Sequence, residues 1–304
     1  MAWICFPIAR TAGRCSCECP FPKSSNAWDE PDMVVAILGP TASGKSQLGL
    51  ALADRLGGEI LCCDSMQVYR GMDIGTGKPT SAEQRQCPHH LLDLVDPDEP
   101  FHAATWARQA RQAIQDIQAR GHLPIIVGGT GLYFRALRYG LFQAPPSDPA
   151  IRARHKAEAQ ALGVAALHQR LKGIDPEAAA RILPGDLLRI SRALEVFEQT
   201  GVPISELRKR AAEPSLPWPL FVIVLDYPMV ELRPRIHRRV DEMMAAGFLD
   251  EVERLRKAGF GTLRAMAALG YRQLGAHLDG GLSLEEAVLE TKTATCAYAR
   301  RQRT

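Results

Sequence analysis

A wholly apolar, β-branched stretch, Val34-Val35-Ala36-Ile37-Leu38, runs directly into Gly39-Pro40-Thr41-Ala42-Ser43-Gly44-Lys45-Ser46. The second stretch fits G-x-x-x-x-G-K-[ST], in which backbone N–H groups surround phosphate oxygens, the lysine neutralises charge and the last hydroxyl reaches Mg²⁺. Leu48, Leu52 and Leu56 follow at helical spacing, and Gly57-Gly58 supplies a stop. Buried strand, glycine loop and helix N-terminus in that order build an anion site. The order restricts the chain to an α/β architecture around a parallel sheet. Gly39, Pro40, Thr41, Ala42, Ser43, Gly44, Lys45 and Ser46 are therefore the expected diphosphate-binding residues, and Ser46 the expected metal contact.

The rest of the composition narrows the class without naming a reaction. At 304 residues, with 46% hydrophobic and 23% charged residues, the chain has room for one large domain or two and for a sizeable core. A net charge of +3 does not by itself point to nucleic acid. No apolar run approaches the roughly 20 residues that a membrane-spanning helix needs, so a soluble protein is expected, and since no cysteine requires an oxidising compartment, a cytoplasmic one. Residues 1–32 differ from the remainder: Cys5, Cys15, Cys17 and Cys19 fall among Pro, Gly and Ser without periodicity. No basic residue precedes the apolar start, as a secretory signal would require. The segment reads as a disordered extension, or as an upstream start assigned ahead of Met33, since C-x-C-x-C is not the usual structural-zinc spacing. Cys62, Cys63, Cys87 and Cys296 lie in apolar or helical surroundings and are expected to be buried thiols.

Glu59-Ile60-Leu61-Cys62-Cys63 reads as the second strand of the sheet, with Asp64 at its carboxyl end. Ligands of open parallel sheets collect beyond the carboxyl ends of the strands, where the glycine loop also lies. Asp64 thus either faces the loop across a crevice or caps the turn that follows it. Leu123-Pro124-Ile125-Ile126-Val127 reads as a third strand and ends in Gly128-Gly129-Thr130-Gly131. A phosphate-hydrolysing enzyme would carry an aspartate at such a strand end. Besides Asp64, Phe221-Val222-Ile223-Val224-Leu225-Asp226 offers one, which makes Asp226 a secondary metal candidate. The loop alone is compatible with a small-metabolite kinase.

The ordered set of motifs resembles one family, the tRNA dimethylallyltransferases. The resemblance runs from Met33 to the last residue. It is carried most specifically by Asp64-Ser65-Met66-Gln67-Val68-Tyr69-Arg70-Gly71-Met72-Asp73-Ile74-Gly75-Thr76-Gly77-Lys78-Pro79, then by His89-His90-Leu91-Leu92-Asp93, Gly128-Gly129-Thr130-Gly131-Leu132-Tyr133, Arg192-Ala193-Leu194-Glu195-Val196, Leu269-Gly270-Tyr271-Arg272-Gln273 and Arg301-Gln302. It implies a P-loop NTPase-like parallel sheet flanked by helices, built from residues 33–142 and 213–304, with an inserted all-helical tRNA-binding lobe at 143–212. It also implies dimethylallyl diphosphate as donor, N6 of adenosine 37 of a tRNA as acceptor, and Mg²⁺ as cofactor. Asp64 is then the general base, Thr41 lies beside it, and Arg239 closes over the diphosphate. Without the resemblance, Arg239 reads as part of a solvated, amphipathic helix.

The tRNA anticodon stem-loop is the implied partner of Asp64, Ser65, Met66, Gln67, Thr130, Arg152, Leu188, Arg189, Ile190, Ser191 and Arg192. A departure occurs at Leu188, where the family usually has Gln, so a polar contact there is not expected. The family also continues past its Arg-Gln pair with a tryptophan-containing stretch, so weaker tRNA binding is expected here. A monomer is expected. A binding protein that keeps the fold without catalysis, and an enzyme acting on free adenine nucleotides, are the rival readings.

Overall fold

The computed structural model describes residues 4–6, 32–141, 145–210 and 216–303. In chain order the elements are β1 (Ile4–Phe6), β2 (Val34–Leu38), α1 (Lys45–Leu56), β3 (Gly58–Cys63), α2 (Ser81–Gln86), β4 (His89–His90), α3 (Ala103–Ala119), β5 (Leu123–Gly128) and α4 (Gly131–Tyr139). Helices α5 (Pro149–Leu162), α6 (Val164–Ile174), α7 (Pro176–Arg181), α8 (Leu187–Thr200) and α9 (Ile204–Arg210) follow. The chain then returns through β6 (Leu220–Leu225), α10 (Met229–Ala245), α11 (Phe248–Lys257), a 3-10 turn (Arg264–Ala267), α12 (Tyr271–Leu278) and α13 (Leu284–Gln302). Two compact units result, one from residues 1–137 and 216–304 and the other from 138–215.

All strands of the first unit are parallel, in the order β1-β6-β2-β5-β3-β4. Such a sheet is covered on both faces, which is why β2, β3 and β5 are almost continuous apolar runs. Their side chains are mostly buried. The chain leaves β2, passes over β5 and enters β3, while β6 pairs with the other side of β2. The carboxyl end of β2 is therefore a point where connections diverge to opposite sides, and a crevice opens there. Ile4–Phe6, within the extension expected to lack structure, instead forms an edge strand against β6. An extended apolar tripeptide there satisfies backbone donors and acceptors that an open edge would leave unpaired. The remainder of that extension, with Cys15, Cys17 and Cys19, lies outside the described residues.

Helix α1, expected from its leucine spacing, sets its smaller residues closest to the sheet. Gly49, Leu50 and Ala53 are its buried residues, Leu48 and Leu52 pack at the margin, and Leu56 is exposed. The reason is close approach: a Cβ on Gly49 would lie 2.7 Å from Cγ2 of Val127. Bare backbone lets the helix sit down on β5, and the leucines flank the contact. Helix α3 covers the sheet with Trp106, Ala110, Ile114 and Ile117, and the Trp106 indole donates to the Cys62 carbonyl at 3.1 Å. Cys62, Cys63, Cys87 and Cys296 are buried free thiols. Among the described residues, no helix is long and apolar enough to cross a membrane.

At the start of β3, Glu59 is 3% exposed and gathers three partners. Arg120 binds it through two nitrogens, at 3.0 and 2.7 Å, and the His90 and His122 rings approach to 2.5 and 2.6 Å. Burial opposes ionisation, but these hydrogen bonds win and hold the carboxyl at about 2, below its ordinary 4.5. A depressed folded value means that the stabilisation is complete above the ordinary carboxylate range and is lost as pH falls toward 2. Glu59→Gln is expected to cost about 2 kcal/mol at neutral pH. Urea midpoints measured against pH should show the gap to wild type closing between about pH 4.5 and pH 2.

Among its described residues, the regular structure of the second unit is all helical. Its core is built from Leu167 and Leu171 of α6, Ala178 of α7, Ile190, Leu194 and Val196 of α8, and Ile204 of α9. Aspartates start α5, α7 and α8: Asp148 accepts from Ala150 N at 2.8 Å, Asp175 from Ala178 N at 2.9 Å, and Asp186 from Arg189 N at 3.1 Å.

Candidate active site

The glycine loop leaves β2 against β6, so closely that a Cβ on Gly39 would stand 2.6 Å from the Leu225 carbonyl oxygen. It then reaches α1 through Gly44, whose φ of 87° favours glycine. Ala42 also has positive φ, at 62°. Lys45 folds back over the loop, and its Nζ donates to the Pro40 carbonyl at 2.6 Å. Burial, and then the Arg239 charge, pull this ammonium down to about 8, while Asp64 pulls the other way. Ser43 Oγ is buried with no hydrogen-bond partner among the described residues. A buried hydroxyl of this kind needs a partner, and an oxyanion seated in the loop is one it can serve. Ser46 stands exposed in the first turn of α1.

Facing the loop across a cleft of about 1440 Å³ is the turn that follows β3. Asp64 begins that turn, and its Oδ1 accepts from Met66 N at 2.8 Å. The carboxylate therefore does cap its own turn, but this uses one oxygen. Its charge is felt by Lys45, Arg239 and Tyr298, which places all four in one electrostatic neighbourhood. Thr130, after β5, ties the turn to the sheet: its hydroxyl accepts from Ser65 N at 3.1 Å, and its own N–H donates to the Cys63 carbonyl at 3.3 Å. Gln67 points back into the block, donating from Nε2 to the carbonyls of Thr76 and Gly77 at 3.2 and 3.0 Å. Thr41, Asp64, Ser65, Met66 and Gln67 all line the cleft.

Arg239, on α10, is half-buried rather than part of a solvated face. It rests against bare backbone, because a Cβ on Gly77 would lie 2.0 Å from its Nη2. Two further cleft residues come from α13 and are not evident as site residues from the sequence. Gln302 accepts from Thr41 N at 2.8 Å and donates to the Gly129 carbonyl at 3.1 Å, joining the ends of β2 and β5. Tyr298 bonds to Gln302, and burial followed by the Asp64 charge pushes its phenol up to about 12. It therefore remains a neutral hydroxyl beside Asp64. The only sequence signal for either was the Arg301-Gln302 pair. Gln302→Ala is expected to weaken binding of inorganic pyrophosphate by about 3- to 10-fold through loss of two part-buried hydrogen bonds. Calorimetric titration of wild type and variant would measure it.

Asp226 lies at the end of β6 but is exposed and paired with Arg303, at 2.6 and 3.2 Å. That pairing accounts for its depressed carboxyl, chiefly through the hydrogen bond from Arg303.

A family model described as IPP transferase matches residues 67–304, and one described as isopentenyl transferase matches residues 32–94. A tRNA dimethylallyltransferase of Halorhodospira halophila is 48% identical over 272 residues, covering 88% of each chain. The chain belongs to the tRNA dimethylallyltransferase family. A relative from Geobacter metallireducens with the same name is 48% identical over 277 residues, 91% of this chain and 90% of its own. Among solved structures, the tRNA isopentenylpyrophosphate transferase of Bacillus halodurans is 41% identical, with TM-score 0.63 over 89% of this chain and 85% of its own. A eukaryotic dimethylallyltransferase acting on tRNA superposes with TM-score 0.74 at 29% identity, over 89% of this chain and 69% of its own.

The family resemblance also nominated residues of the helical unit, and the structure sorts them by helix face. Leu188 and Arg189 of α8 are strongly exposed. Ile190 is fully buried in the helical core, and the Ser191 hydroxyl is buried against His155 Nδ1 at 2.9 Å. The two side chains turn inward because a helix cannot turn five consecutive residues to one side, although Ser191 still borders a shallow groove with Arg152 and Leu188. Arg152 and Arg192 converge on the buried carboxylate of Glu195, at 3.3 and 2.7 Å, and Arg192 also donates to the Pro145 carbonyl at 2.8 Å. Arg152 keeps 42% of its side chain exposed.

Proposed function

We propose that this enzyme transfers the dimethylallyl group of dimethylallyl diphosphate to N6 of adenosine 37, beside the anticodon of tRNA, in the cytoplasm. The observation that carries the reading is the single cleft in which Asp64 shares an electrostatic neighbourhood with Lys45 and Arg239 and faces the glycine loop. An exocyclic aromatic amine has its lone pair delocalised into the ring. It attacks carbon well only if a base takes its proton as the bond forms. Among the cleft's carboxylates, Asp64 is the one that follows β3 and whose charge acts on both Lys45 and Tyr298, and we assign it that proton. On the other side the allylic C–O bond breaks, and charge grows on the departing diphosphate. The loop amides, Lys45 and Arg239 are preorganised to receive it. The new bond joins N6 to the allylic carbon, the proton passes to Asp64, and diphosphate leaves intact.

Ser46 offers a hard hydroxyl oxygen of the kind that Mg²⁺ takes. Mg²⁺ held there would supply further positive charge for the leaving group. The helical unit supplies Arg152, Leu188, Arg189 and Arg192 as the side chains available for the anticodon stem-loop. Arg152 and Arg192 are oriented by Glu195, and Leu188 offers apolar contact.

The acceptor is tested by incubating the protein with Mg²⁺, dimethylallyl diphosphate and tRNA transcripts carrying adenosine or guanosine at position 37, with free adenosine monophosphate as a third acceptor. Prenylation of the adenosine transcript alone is expected. Equal product from the guanosine transcript would move the acceptor elsewhere, and product from the free nucleotide would replace tRNA as the substrate.

A further inference from the structure

The cleft wall contains a backbone segment that something must hold in place. Residues 73–77 lack regular secondary structure, yet they carry Gly77 against the Arg239 guanidinium and the two carbonyls that Gln67 engages. Glu251, in the first turn of α11 and 2% exposed, faces this segment from outside the cleft. Its carboxylate accepts three consecutive backbone N–H groups: Asp73 at 3.0 Å and Ile74 at 2.8 Å on Oε2, and Gly75 at 3.1 Å on Oε1. The fourth donor is the Tyr271 hydroxyl, at 2.6 Å from Oε1.

Three successive amides converging on one anion form the concave arrangement that binds phosphates elsewhere, here filled by the protein's own carboxylate. The other side is closed as tightly. A Cβ on Gly75 would lie 2.1 Å from the Phe248 ring, which packs edge-on against Tyr271 at 5.0 Å. Burial, and then the Glu251 charge, push the Tyr271 phenol up, so it stays a donor. The segment is thus fixed at its start by a charge-assisted set of bonds and at its end by Gln67, with Arg239 lying on Gly77.

We infer that Glu251 is a positioning residue for diphosphate binding: through the backbone of residues 73–77 it sets where Arg239 stands in the cleft, without touching substrate itself. The inference rests on the reading that the cleft holds a diphosphate. The structure accounts for the Gly75-Thr76-Gly77 spacing in the same terms, since Gly75 admits the Phe248 and Tyr271 rings and Gly77 admits Arg239.

Glu251→Gln retains the shape but turns an NH₂ group toward backbone donors and removes the charge. Calorimetry with inorganic pyrophosphate is expected to show about 10-fold weaker binding than wild type. The Michaelis constant for dimethylallyl diphosphate should rise by a similar factor, with that for tRNA unchanged. Gly77→Ala, which leaves Glu251 intact but puts a methyl where Arg239 lies, should reproduce the split. It serves as the deciding variant if thermal melting shows Glu251→Gln to be unfolded. Wild-type affinity for pyrophosphate in the folded variant, or parallel weakening toward pyrophosphate and tRNA, would overturn the inference. A wild-type protein that neither binds pyrophosphate nor forms product would instead overturn the functional reading beneath it.

Discussion

Asp64→Asn should slow the transfer step by about 10²–10⁴-fold while leaving diphosphate affinity within a few-fold of wild type. The substitution keeps Oδ1, so the bond from Met66 N and the turn after β3 survive. It removes the oxygen that would take the N6 proton. It also removes the negative charge felt by Lys45 and Arg239, so pyrophosphate should bind no worse and even slightly better. Single-turnover rates with both substrates saturating separate this from a binding defect. Near-normal turnover in the variant would remove Asp64 as the base.

Lys45→Met should damage both binding and turnover, because the ammonium contacts charge already present in the donor and charge that grows as diphosphate leaves. Loss of about 10²–10³-fold in turnover is expected. The wild-type protein should carry a pH signature of the same group. Free Lys45 loses its proton near pH 8, since burial and Arg239 disfavour its charge. A bound diphosphate favours the charged form, so binding above that pH must take up a proton. Affinity for pyrophosphate should therefore fall as pH rises through about 8, and calorimetry in buffers of different ionisation enthalpy should show proton uptake there. Lys45→Met should abolish that uptake.

What the sequence made legible was local. The β2 strand, the glycine loop and α1 are contiguous, so pattern and function could be read together; Asp64 stood out because it ends the next strand. Arg239 was nominated by family resemblance alone, since its neighbours on α10 are those of an ordinary charged helix. Gln302 lies 261 residues from the Thr41 amide it binds, and Glu251 lies 176 to 178 residues from the amides it holds. No periodicity links positions so far apart. The leucine spacing marked α1 as a helix but not which residue meets the sheet, because close contact with Val127 is what places Gly49 there. Within the 188–192 segment, α8 turns the Ile190 and Ser191 side chains into its own unit, a burial set by packing against other helices.

The most direct measurement is the mass of nucleosides digested from unmodified tRNA after incubation with Mg²⁺, dimethylallyl diphosphate and either wild-type protein or Asp64→Asn, with pyrophosphate affinity determined for both. The account predicts dimethylallyl-adenosine from the wild type, almost none from the variant, and similar pyrophosphate affinity in each. Equal product from both proteins would contradict the assignment of Asp64, and no product from a wild type that binds both substrates would contradict the reaction itself.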